Sequence, residues 1–357
     1  MRKFIFRQRA WIAGAAVLAA SSLALGGCGY YAQSIGGHLD LMAKRQDIGA
    51  LVEDESTPAE LKHKLERAEA IREFAIEELA LPDDGSYRSY VDVGKSYVTW
   101  NVIAAPALSL KPKTWCFPVV GCVSYRGYFE ESDAREYADE LASEDMDVAV
   151  AGARAYSTLG WFDDPILNTI LFDAEYRFAG TLFHELAHER LFIADDSSFN
   201  ESYAVAVERE GVRRWLARNA TPSMQEAYER ERGRREDFLA LVLAAREDLE
   251  TLYASSMDDT EKRREKARLF DALHADYAKL KATWGGYAGY DGWFANNLNN
   301  ARLALVATYN VYVPAFERLL AEQQGDISKF HEAVAALSKL PKEERDAELE
   351  RLAAGQS

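Results

Sequence analysis

The chain has 357 residues and a formal net charge of −16 at pH 7. This acidic excess argues against nucleic acid as a partner, because phosphate backbones attract basic surfaces. Hydrophobic residues make up 48% of the chain and charged residues 28%, which are ordinary globular values, and the length is ample for a buried core in one large or two ordinary domains.

The first 27 residues are predicted to be a signal peptide. They begin with a segment that holds four basic residues and no acidic one, and an apolar run follows from residue 11 to residue 25. That run has the length of a signal peptide and is short for a membrane span. Residues 25–28 read LGGC, which resembles the bacterial lipobox, where the cysteine becomes the lipidated first residue. The alternative is an uncleaved anchor helix.

A lipidated Cys28 would be diacylated and N-acylated. It would anchor the chain stably, because stable anchoring needs more than one acyl chain. By resemblance to sorting in Gram-negative bacteria, Gly29 after the cysteine favours the outer membrane, with the protein on the periplasmic side. Export agrees with the other two cysteines, Cys116 and Cys122. In an exported chain they are expected to form one disulfide. The alternative is two free thiols.

The next two regions differ in pattern. Residues 30–81 have helical apolar spacing, and one helix is expected to start at Pro58 behind a cap at Thr57. Residues 86–129 are rich in β-branched and aromatic residues with Gly and Pro breaks, which predicts short strands or hairpins. A helix capped by Ser132 is expected to run to about Leu141, and the β-containing region as a whole is expected to extend to about residue 156. Within this region, residues 147–156 are expected to form a strand that leads toward the following helix.

The most informative stretch contains His184-Glu185-Leu186-Ala187-His188, an H-E-x-x-H pattern. On a helix the two histidines lie one turn apart on one face, where both imidazoles can reach one Zn²⁺. Glu185 then lies beside the ion and can take a proton from a water. The flanking residues are largely apolar, so the helix is expected to be buried and its polar groups need partners. The alternative is two core histidines bonded to backbone or carboxylates.

A zinc site also needs a third protein ligand and an open fourth position. Glu201 is the candidate, because the polar turn at 194–197 is expected to fold the next helix back along the first. Ser198 and Glu201 also match a capping box, which would explain Glu201 without a metal. Glu208 lies two turns further on the same face, as a rival ligand or as an acceptor for an imidazole N–H.

A resemblance to the bacterial family of putative zinc aminopeptidases, many of them lipoproteins, is carried by HELAHERL and FNESYAVAVEREG. It extends over most of the mature chain, including AYSTLGWFDDP and NNLNNARLALVATYNVYVPAFE. More distantly, the motif resembles the gluzincin metallopeptidases, whose third ligand lies in an N-E-x-x-A motif that Asn200 and Glu201 match here. Twelve residues separate His188 from Glu201, which is shorter than in ordinary gluzincins.

The resemblance implies an α+β, mainly helical, zincin-like protein that hydrolyses peptide bonds in peptides or proteins as an aminopeptidase. One domain is expected over residues 28–357. It would hold a β-containing region at about 86–156, the catalytic helices at about 174–217 and a helical part at about 221–357.

Three further stretches have two interpretations each. Residues 153–161 are either an edge strand that pairs with the substrate, as zinc peptidases often present, or part of an ordinary internal strand. Residues 161–165 either wall a pocket or form a capped turn. The Gly- and aromatic-rich segment 284–293 and the helix through Tyr309 either line a peptide cleft, with a tyrosine donating to a developing oxyanion, or simply pack together.

A function of another class also fits the motif. The chain would then be a non-catalytic envelope lipoprotein, an assembly or binding module with a structural zinc site. A closed structural site needs four protein ligands, so the coordination of the metal separates this alternative from the enzyme.

Overall fold

The computed structural model describes residues 29–117, 121–295 and 298–355, so the predicted signal peptide and Cys28 lie outside the described residues. The class is α+β and mainly helical, as the sequence predicts. Within the described ranges, no helix has the length and apolar character needed to cross a bilayer. The helices are α1 (29–43), α2 (Ile48–Glu53), α3 (Ala59–Leu79), α4 (Glu131–Ser143), α5 (Asn168–Leu171), α6 (Glu175–Arg190), α7 (Ser197–Asn219), α8 (Pro222–Ala254), α9 (Asp259–Thr283), α10 (Asp291–Ala295), α11 (Asn300–Asn310), α12 (Val313–Glu322), α13 (Ile327–Leu337) and α14 (Lys342–Ala353).

The strands form small sheets with the orders β1-β2-β8, β6-β3-β7 and β4-β5. In the second sheet β3 and β7 run antiparallel, from Thr99 opposite Ala153 to Pro106 opposite Met146, and β7 lies at the sheet edge. The strands are β1 (Gln46–Asp47), β2 (Ser89–Val91), β3 (Thr99–Pro106), β4 (Trp115–Phe117), β5 (Gly121–Val123), β6 (Arg126–Tyr128), β7 (Met146–Ala153) and β8 (Ile166–Leu167).

The strand predicted at 147–156 ends three residues earlier than expected, at Ala153. The segment proposed at 153–161 as an edge strand is therefore a loop. Leu159 and Gly160 have φ angles of 56° and 76°, which lie outside the extended region that a strand requires. Strand β7, like β6, is an edge strand of this sheet.

Helices α6 and α7 pack closely at the centre of the largest hydrophobic core, which also includes parts of α3, α12, α13 and α14. Two glycines allow this approach. A Cβ at Gly180 would lie 3.2 Å from Val212 Cγ2, and one at Gly211 would lie 2.5 Å from a ring carbon of Phe183. Since Gly180 of α6 faces Val212 near the far end of α7, the two helices run antiparallel, as the turn between them predicts.

One buried histidine belongs to this core. His331 is 3% exposed, with Nε2 2.9 Å from the carbonyl of Leu79 and Nδ1 2.8 Å from the hydroxyl of Tyr203. A carbonyl only accepts, so Nε2 donates and Nδ1 accepts from the tyrosine. Burial lowers the pKa of His331 to about 4, which keeps this neutral arrangement at neutral pH.

The caps of two helices differ from the prediction. Helix α7 begins at Ser197, and its cap is Asp196, whose carboxylate accepts from the N–H of Phe199 at 3.2 Å. Ser198 therefore lies inside the helix, and the capping box with Glu201 is wrong. Helix α3 begins after Pro58 without a side-chain cap, so Thr57 does not cap it. Glu201 is left free for another role.

Candidate metal centre

The structure brings His184, His188 and Glu201 together. The two histidines lie one turn apart on α6, and Glu201 lies in the first two turns of α7. The Nε2 atoms of the two histidines are 3.1 Å apart. Oε2 of Glu201 is 3.3 Å from Nε2 of His184 and 3.5 Å from Nε2 of His188. One donor atom from each side chain lies within 4.8 Å of the others. Three donors that converge in this way can hold a metal ion.

The charges of these groups fit a cation. Oε2 of Glu201 is buried and has no hydrogen-bond partner within the described ranges, although it points toward two imidazole nitrogens. Burial favours the neutral form of His184, but the neighbouring carboxylates of Glu201 and Glu208 outweigh it and raise the pKa of His184. Burial also opposes ionisation of Glu201, but the two histidines outweigh it and lower the pKa of this carboxyl.

Glu208 lies on the other side of the same imidazole. Its Oε2 is 3.3 Å from Nδ1 of His184, and its Oε1 is 3.2 Å from a guanidinium nitrogen of Arg235. Gly180 leaves room for it, because a Cβ there would lie 3.3 Å from Glu208 Cγ. Glu208 thus contacts the nitrogen that faces away from the donor group. An acceptor at this position fixes the tautomer and the orientation of His184.

Glu185 follows His184 on α6 and is half-buried. Burial, together with the carboxylates of Glu201 and Glu208, raises its pKa, while the two histidines act in the opposite direction. Within the described ranges its carboxylate makes no hydrogen bond. It is therefore available to exchange a proton with a bound molecule.

Two tyrosines approach the same group from other elements. The ring of Tyr309, on α11, stacks against His184 with 6.2 Å between ring centroids. The negative charge of Glu201, followed by burial, raises the pKa of Tyr309. Burial, followed by the charges of Glu201 and Glu185, raises the pKa of Tyr125. The sequence singles out the helix of Tyr309 but offers no signal for Tyr125 or for Arg235.

The disulfide hairpin contacts the connection between α6 and α7. Cys116 and Cys122 are joined by a disulfide across β4 and β5. The N–H of Cys122 donates to Oδ1 of Asp195 at 2.7 Å. Gly121 has a φ of 71°, and a Cβ at this position would lie 2.7 Å from the same oxygen. Glycine is therefore required for the hairpin to reach the connection.

The C-terminal helix contacts the same connection. Arg345 of α14 donates to Oδ2 of Asp196 at 2.7 Å, and both side chains are more than nine-tenths buried. Lys342 approaches the same oxygen at 3.2 Å. Helix α14, which the sequence predicts only as part of the helical region at about 221–357, thus fixes the residue that caps α7.

Residues 161–165 form the capped turn, one of their two predicted interpretations. Asp164 is fully buried and accepts from the backbone N–H of Thr158 at 2.5 Å. Trp161 and Phe162 are exposed on this turn, at 68% and 56%. Burial is the largest influence on Asp164 and raises its pKa to about 7.

Most of the chain resembles one family of known proteins. The model of a family described as "Putative aminopeptidase" matches residues 29–349. No curated protein and no solved structure gives a significant match. The family match covers both helices that carry the donor group, the hairpin, and α14 as far as residue 349, which includes Lys342 and Arg345.

Proposed function

This chain belongs to the putative aminopeptidase family, and from that premise we propose that it is a zinc-dependent aminopeptidase. The observation that carries the proposal is the convergence of His184, His188 and Glu201, with the unbonded carboxylate of Glu185 beside them. Two imidazoles and one carboxylate are the ligand set of many catalytic zinc sites, and three protein ligands leave the fourth position for water.

His184, His188 and Glu201 would hold the zinc ion. When bound, zinc lowers the pKa of a water and polarises the scissile carbonyl. Glu185 takes the proton from the attacking water and passes it to the leaving amine. Tyr309, whose hydroxyl keeps its proton at neutral pH, donates to the oxygen on which negative charge develops.

The edge of β7 offers a place for the substrate backbone. The carbonyl of Val148 accepts from the side chain of Asn299 at 2.8 Å, so it points away from β3. Because backbone groups alternate along a strand, those of Val150 and Gly152 point to the same edge, where no strand in the described part of the chain pairs with β7. An extended peptide can pair with them as an added strand. This is the role that the sequence suggested for residues 153–161, moved to β7.

The alternative of a structural zinc site is less well supported. Such a site needs four protein ligands, whereas the donor group has three members in the part of the chain that the structure describes. Glu208, the candidate for a fourth, contacts Nδ1 of His184 rather than the side on which the donor atoms converge.

The proposed location rests on the sequence. The LGGC segment and the basic and apolar residues before it support attachment to the outer membrane through a lipidated Cys28. The protein would then act on peptides or proteins in the periplasm.

The test of the proposed function combines zinc content with hydrolysis. We expect the protein to bind one zinc and to cleave aminoacyl-coumarin amides with a free amino group, but not their N-acetylated forms. Glu185→Gln keeps size but cannot take a proton, so it should retain zinc while kcat/KM falls by ~10²–10⁴-fold. The exposed Glu73→Gln is the matched control. Full activity in Glu185→Gln would refute the mechanism, and equal cleavage of N-acetylated substrates would refute the aminopeptidase.

A further inference from the structure

A cavity of about 380 Å³ lies against the candidate metal centre. Tyr125, Tyr309 and Arg235 belong to its wall, and each of them also interacts with the donor group or with Glu208. Residues 151–153 of the edge strand β7 line another side. The cavity therefore lies between the residues that would bind the metal and the strand edge that would bind a peptide backbone.

Most of the remaining wall is apolar. On the sheet side it includes Ile103, and on the helical side it includes Phe238, Leu239, Leu305 and Val306. The volume is near the lower end of the range for ligand pockets. It suits one large side chain better than a long stretch of peptide.

The wall offers no free charge to an occupant. Arg235 is the charged residue among the described lining residues, and its guanidinium is paired with Glu208, which in turn contacts His184. A charged side chain that entered this cavity would lose its water and gain only neutral polar partners, such as the unpaired Oδ1 of Asn310, which do not replace the hydration of a charge. A large apolar or aromatic side chain would gain the full benefit of burial.

We propose that this cavity binds the side chain of the amino-terminal substrate residue and selects large uncharged residues, such as phenylalanine and leucine. The inference rests on the proposed aminopeptidase function, because it places that residue's carbonyl at the metal centre. One missing methylene in an apolar pocket changes kcat/KM by ~10–200-fold. Phenylalanine and leucine substrates should therefore exceed alanine by at least ~10²-fold, and glutamate and lysine substrates should be cleaved no better than alanine.

The decisive variant fills the cavity. Leu239→Trp, on α8, should lower kcat/KM for the phenylalanine substrate at least ~10-fold more than kcat/KM for the alanine substrate. Leu243 lies one turn later on the same helix and is exposed, so Leu243→Trp is the matched control and should change neither. Val306→Phe, on α11, should reproduce the shift if Leu239→Trp fails to fold, as judged by thermal unfolding and zinc content.

A second readout is independent of turnover. In the zinc-loaded Glu185→Gln protein, calorimetry should find that phenylalaninamide binds at least ~10-fold more tightly than alaninamide, and that adding Leu239→Trp removes the difference. A ratio near one without the filling substitution would overturn the inference, as would an unchanged ratio in folded Leu239→Trp. A binding preference without any hydrolysis would instead refute the aminopeptidase and leave the side-chain pocket standing.

Discussion

Replacing Glu201 or Glu208 with alanine tests which of the two carboxylates is a metal ligand and which only orients a ligating histidine. Oε2 of Glu201 is within 3.5 Å of Nε2 of both histidines, whereas Oε2 of Glu208 is 3.3 Å from Nδ1 of His184. The two carboxylates therefore contact opposite sides of the His184 imidazole. Their removal should have different consequences for zinc, although both lie on α7.

The magnitudes follow from these positions. Glu201→Ala leaves two imidazoles, too few for a tight site, so zinc should be lost. Stabilisation by bound zinc would vanish with it, ~2.7 kcal/mol at a free zinc concentration of 100 times Kd. No capping energy adds to this loss, because Asp196 caps α7. Glu208→Ala should weaken zinc binding ~10–100-fold while zinc remains bound at saturation.

The assay is zinc content by mass spectrometry after dialysis, beside zinc affinity against a competing chelator and thermal unfolding with and without EDTA. Glu73→Ala, an exposed residue on α3, is the control and should match the parent protein. A zinc-replete Glu201→Ala together with a zinc-free Glu208→Ala would make Glu208 the third ligand.

Four other predictions concern the scaffold and the anchor. Arg345→Met should destabilise the protein by ~3 kcal/mol in denaturant unfolding, because within the described ranges it leaves the buried Asp196 carboxylate with one cationic partner, the half-exposed Lys342; a loss below 1 kcal/mol would contradict this. Because the folded-state pKa of His331 is about 4 and its ordinary value is 6.5, the unfolded chain takes up this proton first, so stability should fall as pH drops from about 6.5 to about 4. The slope is at most ~1.4 kcal/mol per pH unit, and His331→Gln should lack this part of it; equal slopes in both proteins would speak against it. Thiol titration of the denatured, unreduced protein should find Cys116 and Cys122 unreactive, and reduction should cost ~3 kcal/mol or less; two free thiols would exclude the bond. Cys28→Ala should accumulate as a precursor that takes up no labelled fatty acid, and labelling that persists would rule out the lipobox.

Local spacing predicted the parts of the site that lie on one element. Two histidines four residues apart share a face of any helix, so the positions of His184, Glu185 and His188 on α6 follow from the sequence alone. The interval 174–217 closely matches the observed helices, Glu175–Arg190 and Ser197–Asn219. Apolar residues on every side of α6 correctly predicted a buried helix.

Such local patterns do not predict contacts between segments that lie far apart in the sequence. Tyr125 follows a short hairpin and Arg235 lies in the middle of a 33-residue helix, and neither stretch differs in composition from its neighbours. The cap of α7 was misplaced for a related reason. Ser198 and Glu201 satisfy the local pattern of a capping box, but Asp196 is held by Arg345, a residue 149 positions later.

The short separation between His188 and Glu201 explains why so many distant groups meet at the connection from α6 to α7. The side chain of Asn200 bonds both backbone groups of Ile193, at 3.0 and 2.7 Å. The β4–β5 hairpin contacts this connection at Asp195, and α14 contacts it at Asp196. With so few residues between the two helices, a shift in where α7 begins would move Glu201 directly relative to the two imidazoles. The hairpin and the C-terminal helix are therefore part of what positions the third donor, although neither supplies one.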